Sequence, residues 1–271
     1  MTEQELMLTS ILECERVDLY VDHPVLSPSQ KQRLQEMRIS RQRGEPLQYI
    51  LGSSEFMGLK LKVDQRVLIP RPETELLVEA VIEKIKLFFQ RKSLQILDLG
   101  TGSGNVAISL AKFVEHCQVT AIDISQEAID VASQNAKAQQ VDQKIHFVCA
   151  DMADYLREPC TTQSTFDIII SNPPYIPTDQ LAYLPRDVQR EPHRALDGGS
   201  EGMDFYRLIL AQSKYFLNHS GFLFFEVGDG QRAKLEKLCS SYVPFAKIEF
   251  HKDYAQTERI MILINFSDTK G

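Results

Sequence analysis

Long apolar runs are missing from this sequence of 271 residues. A membrane-spanning helix needs about 18 or more consecutive apolar residues, and no such stretch occurs. The first residues, Met1–Glu5, are acidic and lack the basic-then-apolar order of a secretory signal peptide. We therefore expect a cytoplasmic protein without a membrane span.

Cysteine and histidine spacings typical of metal sites are also absent. The sequence has five cysteines and no C-x-x-C pair, so we predict reduced thiols rather than disulfides or a zinc site. The cysteines are Cys14, Cys117, Cys149, Cys160 and Cys239. The six histidines show no H-x-x-x-H spacing, and we expect no metal centre.

An overall excess of positive charge is lacking as well. The net charge is −7 at pH 7, which argues against non-specific or stable binding of nucleic acid. One basic run departs from this balance, and it consists of Lys31, Arg33, Arg38, Arg41 and Arg43. We interpret this run as the solvated face of a helix, and a phosphate-binding patch is the alternative.

The N-terminal part has the pattern of short helices. An apolar stripe at near-helical spacing comprises Leu6, Met7, Ile11, Cys14 and Val17. A second helix is predicted to start with Ser27 as N-cap, Pro28 at the first position and Gln30 in a capping box. It should run to Arg43 and stop at Gly44.

The periodicity changes to two after Phe56, which indicates a half-exposed strand over Leu59–Val63. We take Val67–Ile69 as its hairpin partner. The predicted division is a helical domain with a β-hairpin linker at residues 1–70 and a larger domain at residues 71–271. An amphipathic helix should open the larger domain.

Strand and helix patterns alternate through the larger domain, as in a parallel sheet covered on both faces. The predicted strands are Leu94–Leu99, Gln118–Asp123, Ile145–Cys149, Phe166–Ser171, Gly221–Val227, Ala246–Phe250 and Arg259–Asn265. Helices are predicted near 104–115, 126–139, 203–217 and 230–241. No helix fits between the last two strands, so we expect an antiparallel pair there. The fold class is a seven-stranded α/β sandwich of Rossmann-like type.

A glycine-rich turn follows the first of these strands, in the order Asp98-Leu99-Gly100-Thr101-Gly102-Ser103-Gly104. Such a turn lets the backbone approach a ligand and presents helix N–H groups to it. The dinucleotide fingerprint would need glycine where Asn105 stands, and no G-K-[ST] follows. The pattern resembles the first motif of S-adenosylmethionine-dependent methyltransferases. This resemblance implies that residues Gly100, Thr101, Gly102, Ser103 and Gly104 carry the cofactor.

Acidic residues follow the next two strands. Asp123 ends the second strand, where a carboxylate can accept hydrogen bonds from both ribose hydroxyls. Asp151 and Met152 follow the third strand. In similar methyltransferases that position flanks the adenine, with the acid near its exocyclic amine. For each acid alone, a helix-cap or strand-end carboxylate is the alternative.

Asn172-Pro173-Pro174-Tyr175 follows the fourth predicted strand, at the end where open α/β sheets bind ligands. A turn that merely ends the strand is the alternative for the tetrapeptide alone. After a cofactor loop, however, its order resembles amino-methyltransferases that act on planar nitrogens. We predict that the Asn172 side-chain carbonyl and the Pro173 main-chain carbonyl accept the two hydrogens of such a nitrogen. Tyr175 would pack on the substrate plane, and Asn172 would also border the cofactor.

A narrower resemblance extends over nearly the whole chain. The segments that carry it are Gly44-Glu45-Pro46, Ile69–Glu75, Asn172–Ile176, Glu191-Pro192, Ala195-Leu196, Gly198-Gly199 and Gly202. They are similar to bacterial peptide chain release factor glutamine methyltransferases. The resemblance implies methylation of the N5 amide of the glutamine in the GGQ motif of class 1 release factors. It also implies that Asn172, Pro173, Pro174 and Tyr175 hold the glutamine amide and that the N-terminal domain helps to dock the release factor. We expect a monomer.

Other functions remain open from the sequence. A nucleic-acid base methyltransferase would present a similar planar amine, adenine N6 or guanine N2, and the basic run supports it. A non-catalytic cofactor-binding module is the third class. Arg71 and Glu73 resemble a family motif near the cofactor, but a Pro-capped helix start explains Pro72 and Glu73 without a function. We therefore leave both outside the predicted site, and no role is assigned to Arg190.

Overall fold

Short helices form the N-terminal part of the computed structural model, which describes residues 1–89, 93–157, 165–244 and 246–264. They are α1 (Glu3–Leu12), α2 (Asp18–Val21), α3 (Pro28–Gln42) and α4 (Leu47–Leu51). Their apolar side chains form a small core of their own, built by Met7, Ile11, Leu34, Met37 and Leu47. Cys160 and Asn265, which the sequence patterns included, lie outside the described residues.

Helix α3 begins at the predicted Pro28 and ends at Gln42, one residue before the predicted Arg43. The Ser27 hydroxyl accepts a hydrogen bond from the Gln30 amide at 3.3 Å, and the Gln30 side chain accepts one from the Ser27 amide at 2.9 Å. This reciprocal capping box precedes Pro28 at the first helical position. Gly44 follows the helix with φ +86°, a conformation that glycine adopts without steric cost.

The apolar stripe predicted through Val17 is wrong beyond Leu12. Glu13 adopts a left-handed conformation with φ 52°, and the Cys14 amide donates back to the Thr9 carbonyl at 3.3 Å. These features end α1 one turn earlier than the apolar spacing indicates. Val17 is consequently exposed rather than packed in the N-terminal core.

The predicted β-hairpin exists, but its predicted partner strand is wrong. Strand β1 (Ser53–Phe56) pairs with β2 (Leu59–Lys62), whereas Val67–Ile69 is not a strand. The connection consists of Met57 and Gly58 with φ 51° and 72°, the positive values that a tight hairpin turn requires. This turn therefore pairs β2 with β1, the strand that precedes it in the chain, and not with the segment that follows.

Beyond the hairpin the chain alternates strands and helices as predicted. The helices are α5 (Pro72–Phe88), α6 (Asn105–Phe113), α7 (Gln126–Ala138), α8 (Met152–Arg157), α9 (Asp204–Phe216) and α10 (Arg232–Tyr242). The strands are β3 (Leu94–Leu99), β4 (Cys117–Asp123), β5 (Ile145–Cys149), β6 (Phe166–Ser171), β7 (Leu217–Glu226), β8 (Lys247–Lys252) and β9 (Glu258–Ile264). Short 3₁₀ helices lie at Asp142–Lys144, Thr178–Tyr183, Val188–Arg190 and His193–Ala195. Helix α8 is the one α-helix in the described part of this region that the patterns did not predict.

These strands form one sheet, which has seven strands within the described residues, in the order β5-β4-β3-β6-β7-β9-β8. Strands β3 to β7 run parallel, and β9 is antiparallel to both β7 and β8. The antiparallel pair at one end is therefore confirmed.

Both faces of the sheet are covered by helices. Alternate side chains of each strand point to opposite faces, so Ile96 packs with α5, α6 and α7 while Leu97 packs with α8, α9 and α10. The hairpin belongs to the first of these layers through Phe56 and Leu61. None of the helices in the described ranges combines the length and the apolar composition needed to cross a membrane.

Candidate functional site

The glycine loop and the Asn172–Tyr175 segment leave the sheet side by side. Leu99 at the end of β3 is the register partner of Ser171 at the end of β6, and the Ser171 hydroxyl donates to the Leu99 carbonyl at 2.7 Å. Strand β3 lies between β4 and β6, which is where the connections diverge and where open α/β sheets bind ligands. Gly100 and Asn172 thus begin the two walls of one crevice.

The glycine loop is held in an open, curved conformation. Gly100, Gly102 and Gly104 have φ values of +80°, +54° and +82°. A Cβ atom on Gly104 would lie 2.9 Å from the terminal methyl of Ile108 and 3.0 Å from the Cβ of Ala132, so this position is tightly packed, and its positive φ favours glycine. A Cβ atom on Gly102 would meet nothing within 4 Å. The loop is therefore packed at its helix end and open at its centre.

Buried side chains hold the glycine loop on the side that faces the protein interior. Thr101 and Ser103 are buried, and the Thr101 hydroxyl donates to the Asp98 carboxylate at 2.7 Å. Burial raises the pKa of Asp98 to about 7, because the charged carboxylate loses its hydration there. The Ser103 carbonyl accepts a hydrogen bond from the Asn135 side chain at 2.9 Å. These contacts order the backbone before any ligand binds.

Asp123 lies beside the loop, at the end of β4. Its Oδ2 accepts the Gly102 amide and its Oδ1 accepts the Ser125 amide, each at 2.9 Å. Burial raises the pKa of Asp123. Each carboxylate oxygen keeps a further lone pair, so this side chain can still accept hydrogen bonds from a diol.

Asp151 and Met152 follow β5 next to Asp123. The Asp151 carboxylate accepts the Ala153 amide at 2.7 Å and caps the first turn of α8, which is the helix-cap arrangement. Asp151 is exposed and Met152 is buried. The Met152 methyl lies 4.0 Å from where a Cβ atom of Gly100 would stand. Met152 therefore packs against the start of the glycine loop.

Two neighbouring cavities lie in the crevice. The first has a volume of about 40 Å³ and is lined by Asp98, four residues of the glycine loop, Asn105, Val106, Thr74, the segment 68–71 and Asn172. The second has a volume of about 220 Å³ and is lined by Asn172, Pro173, Tyr175, Ile176, Glu226, Leu68, Arg71, Val188, Ala195 and Leu196. Asn172 lines both. Of the described residues predicted for the site, Gly104, Asp123, Asp151, Met152 and Pro174 line neither cavity.

A hydrogen-bond chain orients the Asn172 side chain. Its amide nitrogen Nδ2 donates to the Thr74 hydroxyl at 3.1 Å, and that hydroxyl donates to Glu226 Oε2 at 2.6 Å. Because the nitrogen end is used in this way, the carbonyl oxygen Oδ1 is the end left for a ligand. Pro173 is buried beside it.

Glu226 also contacts Tyr175. The Tyr175 hydroxyl lies 3.4 Å from Glu226 Oε1, and the Tyr206 hydroxyl donates to the Glu226 carbonyl at 2.8 Å. Burial raises the pKa of Glu226 to about 7. Burial and the nearby Glu226 carboxylate raise the pKa of Tyr175, which keeps this phenol protonated at neutral pH.

Close backbone packing supports the Tyr175 main chain. A Cβ atom on Gly202 would lie 2.2 Å from the Tyr175 carbonyl oxygen, and one on Gly198 would lie 2.7 Å from the Tyr175 Cα. The Gln231 side chain donates to the same carbonyl at 2.9 Å. Glycine at 198 and 202 is therefore a packing requirement of the Tyr175 segment.

Sequence reasoning left three contributors to the crevice unassigned. Arg71 lines both cavities and forms an ion pair with the buried Glu191, which also accepts the Ile69 amide at 3.0 Å. Thr74 and Glu226 join Asn172 as described above. The sequence signal that could have identified Glu226 is its position, since it is a charged residue at the end of an otherwise apolar strand.

The N-terminal helices contact the loop that borders the larger cavity. Arg41 pairs with Glu3 at 2.9 Å and with Asp187 at 3.4 Å, and Arg190 donates to the Arg43 carbonyl at 3.4 Å. Arg41 of the basic run is thus paired with two carboxylates. Arg190 connects the two parts of the chain.

Comparison with known proteins gives relatives along the whole chain. Residues 2–52 match the family described as PrmC N-terminal domain, and residues 90–208 match the family described as Methyltransferase domain. A release factor glutamine methyltransferase of Thermodesulfovibrio yellowstonii is 37% identical over 262 residues, which cover 96% of this chain and 91% of that protein. A protein of the same name from Chlorobaculum tepidum is 39% identical over 266 residues, 94% of this chain and 87% of that protein.

A solved structure also shares the fold. The crystal structure of a methyltransferase from Pyrococcus furiosus matches with a TM-score of 0.54 at 17% identity, over 89% of this chain and 100% of that one. At this level of identity the likeness concerns the fold. The predicted fold class, a seven-stranded Rossmann-like methyltransferase sandwich with a helical N-terminal part, is confirmed.

Proposed function

This chain belongs to the release factor glutamine methyltransferase family, and we propose that it methylates the side-chain amide nitrogen of a glutamine in peptide chain release factors. The methyl donor is S-adenosylmethionine. The target is the N5 amide of the glutamine in the GGQ motif of class 1 release factors. The observation that carries the proposal is the position of Asn172, which lines both the cavity at the glycine loop and the larger cavity beside it.

The residues at the glycine loop fit the adenosyl cofactor. The loop centre at Gly102 is open, and the neighbouring Asp123 has carboxylate lone pairs suited to a ribose diol. Met152 supplies an apolar contact for a purine, and Asp151 supplies an acceptor at the exposed end of the same turn. When bound there, the cofactor supplies an electrophilic methyl group on a positively charged sulfur.

The larger cavity takes the glutamine side chain. A primary amide nitrogen is a poor nucleophile because its lone pair is conjugated with the carbonyl group. Asn172 Oδ1 and the Pro173 carbonyl accept its two hydrogens and so direct the nitrogen toward the smaller cavity. Tyr175 packs against the amide plane, and its protonated hydroxyl is turned to Glu226. Alignment of the reacting atoms supplies most of the rate gain.

Proton removal needs no strong base in this scheme. The amide nitrogen becomes acidic once it carries the extra methyl group, so one of its two protons leaves to water during or after transfer. The product amide carries one methyl and one hydrogen. Asn172 holds that remaining hydrogen and keeps the amide in the cavity until release.

The N-terminal module, residues 1–70, helps to dock the release factor on the domain formed by residues 71–271. Contact between α3 and the loop at the larger cavity supports this role, since Arg41 pairs with Asp187 and Val188 lines that cavity. A docked protein would therefore reach the helices and the cavity mouth together. We propose that the protein acts as a cytoplasmic monomer.

A methyl-transfer assay tests the proposal. The protein is incubated with labelled cofactor and, separately, with a release factor, its GGQ variant in which glutamine is replaced by alanine, duplex DNA and ribosomal RNA. We expect label on the intact release factor alone. Label on nucleic acid but not on the release factor would overturn the proposal, and cofactor binding without any transfer would indicate a binding module.

A further inference from the structure

Glu226 is a buried acid whose contacts are hydroxyl groups. Its side chain reaches the Thr74 hydroxyl at 2.6 Å and the Tyr175 hydroxyl at 3.4 Å. The nearby Arg259 donates a hydrogen bond from its Nε to the Asp253 carboxylate at 3.1 Å. Among the residues that the structure describes, no cation forms an ion pair with Glu226. A carboxylate buried in this way lowers the stability of a fold, so its presence between two site residues points to a role in the site.

The Thr74 hydroxyl has a single hydrogen, and it donates this hydrogen to Glu226 Oε2 in a hydrogen bond. The oxygen of Thr74 therefore faces Asn172 as an acceptor, and an acceptor selects the NH₂ end of the Asn172 amide. With the amide held this way, Oδ1 points away from Thr74. Without the Thr74–Glu226 contact, the hydroxyl could donate to Oδ1 and hold the amide in the opposite orientation.

We propose that Thr74 and Glu226 are a positioning pair that fixes the Asn172 amide with its carbonyl oxygen toward the substrate. This inference rests on the proposed function, because it is the methyl-accepting amide that needs an acceptor at that point. The pair joins three elements: the first turn of α5 carries Thr74, the end of β7 carries Glu226, and Asn172 follows β6. Glu226 also orders the Tyr175 hydroxyl, so one carboxylate positions both ends of the Asn172–Tyr175 segment.

The same residues suggest a rival role for Glu226. It lines the larger cavity, so it could accept the amide proton directly. The two roles differ in what Thr74 does. A positioning pair needs the Thr74 hydroxyl and an acceptor at 226, whereas a direct base needs the charge at 226 and not the hydroxyl.

The kinetic test compares Thr74→Val, which keeps the side-chain shape, with Thr74→Ser, which keeps the hydroxyl. We expect Thr74→Val to lower kcat by about 10²-fold, as misaligned reacting groups do. Because Thr74 also lines the cavity at the glycine loop, the cofactor Kd is measured for each variant, and we expect it to change by no more than a few-fold. Thr74→Ser should restore most of the rate. Thr178→Val is the matched control, since its hydroxyl also donates to a carboxylate, Asp197, at 2.7 Å, outside both cavities. Equal rates for Thr74→Val and Thr178→Val would overturn the proposal.

A spectroscopic test reads the Asn172 amide without activity. The sequence has five asparagines, so ¹⁵N-asparagine labelling gives few side-chain NH₂ signals, and Asn172→Ala identifies the one from Asn172. We expect Thr74→Val to shift this signal and Thr74→Ser to leave it near its wild-type position. An unshifted signal in folded, cofactor-binding Thr74→Val would overturn the proposal. Because this readout needs no release factor, it separates failure of the pair from failure of the proposed substrate.

Glu226→Gln decides between positioning and proton acceptance. Its amide oxygen can still accept the Thr74 hydroxyl, so we expect the Asn172 signal to persist and kcat to fall less than in Thr74→Val. A larger loss of kcat in Glu226→Gln than in Thr74→Val, with the Asn172 signal unchanged, would assign Glu226 as the proton acceptor and overturn the proposal.

Discussion

Leu99 and Ser171 are register partners in neighbouring parallel strands, and the Ser171 hydroxyl donates to the Leu99 carbonyl at 2.7 Å. The residues that follow them, Gly100 and Asn172, therefore start at the same height on the same edge of the sheet. A slip of this register by one residue would turn every side chain of one strand to the opposite face. The buried packing of both strands prevents such a slip, so the sheet itself aligns the glycine loop with Asn172.

Replacement of Asn172 by alanine should remove transfer while cofactor binding persists. The variant loses the Oδ1 acceptor, and we expect a fall in kcat of about 10²-fold or more. Calorimetry should find the cofactor Kd changed by no more than a few-fold. Asn218→Ala is the control, since its amide donates to Asp167 at 2.9 Å outside the cavities. A large loss of cofactor affinity in Asn172→Ala would mean that Asn172 serves the cofactor instead.

Replacement of Asp123 by alanine should have the opposite profile. The Gly102 amide loses its acceptor and the ribose loses its partner, so we expect the cofactor Kd to rise about 10-fold or more. The rate at saturating cofactor should fall much less. Asp253→Ala is the control, because that carboxylate accepts the Thr257 amide at 2.9 Å in the β8–β9 turn. Equal effects of the two variants on the Kd would contradict the cofactor role.

Glu226→Gln should stabilise the protein increasingly as the pH rises. Burial raises the pKa of Glu226 from 4.5 to about 7, so between these values the unfolded chain releases a proton that the folded chain keeps. The stability that wild type has below the unfolded pKa is therefore lost as the pH rises through the folded pKa. Thermal unfolding should give nearly equal Tm values near pH 4.5, and above pH 7 the variant should be the more stable.

Glu249→Gln provides a control of opposite sign for that measurement. Hydrogen bonds from Lys84 and Lys247 lower the pKa of Glu249 to about 2, so its contribution to stability is present above pH 4.5 and is lost at lower pH. At neutral pH, Glu249→Gln should thus melt below wild type. A constant Tm difference between Glu226→Gln and wild type across the pH range would show that Glu226 does not titrate in this way.

Gly202→Ala should disturb the Tyr175 segment, whereas Gly230→Ala should not. Both glycines have positive φ, 69° and 71°, so alanine introduces similar backbone strain at either position. Only at Gly202 would the new Cβ lie 2.2 Å from the Tyr175 carbonyl oxygen, since nothing lies within 4 Å at Gly230. We expect a lower Tm and lower kcat for Gly202→Ala. Similar losses in both variants would show that strain, and not the close approach, is the cause.

Strand and helix patterns predicted most of the larger domain because its elements are long and strongly apolar. Strands β3, β5 and β6 have the predicted bounds. Helix α8 has six residues, too few to show a helical period. The hairpin partner was mistaken because the turn at Met57-Gly58 lacks the Asn-Gly or Asp-Gly pair typical of such turns.

The residues of the candidate site also fall into those that the sequence predicted and those that it did not. Gly100–Ser103 and Asn172 stand in recognisable motifs directly after strands, so sequence order places them at one edge. Thr74 and Glu226 reach Asn172 from a helix start and a strand end that are far apart in the chain, and no local pattern connects them. Arg71 was set aside because a helix start explains its neighbours, while its place in the crevice depends on the ion pair with Glu191.

The position of the transferred methyl group is the sharpest test of the proposed reaction. Wild-type protein, cofactor and an intact class 1 release factor are incubated, and the release factor is then digested and its peptides fragmented in a mass spectrometer. We predict a single methyl group on the amide nitrogen of the GGQ glutamine, absent with Asn172→Ala and present with Asn218→Ala. A methyl group on any other residue, or an equal yield from Asn172→Ala, would contradict the account.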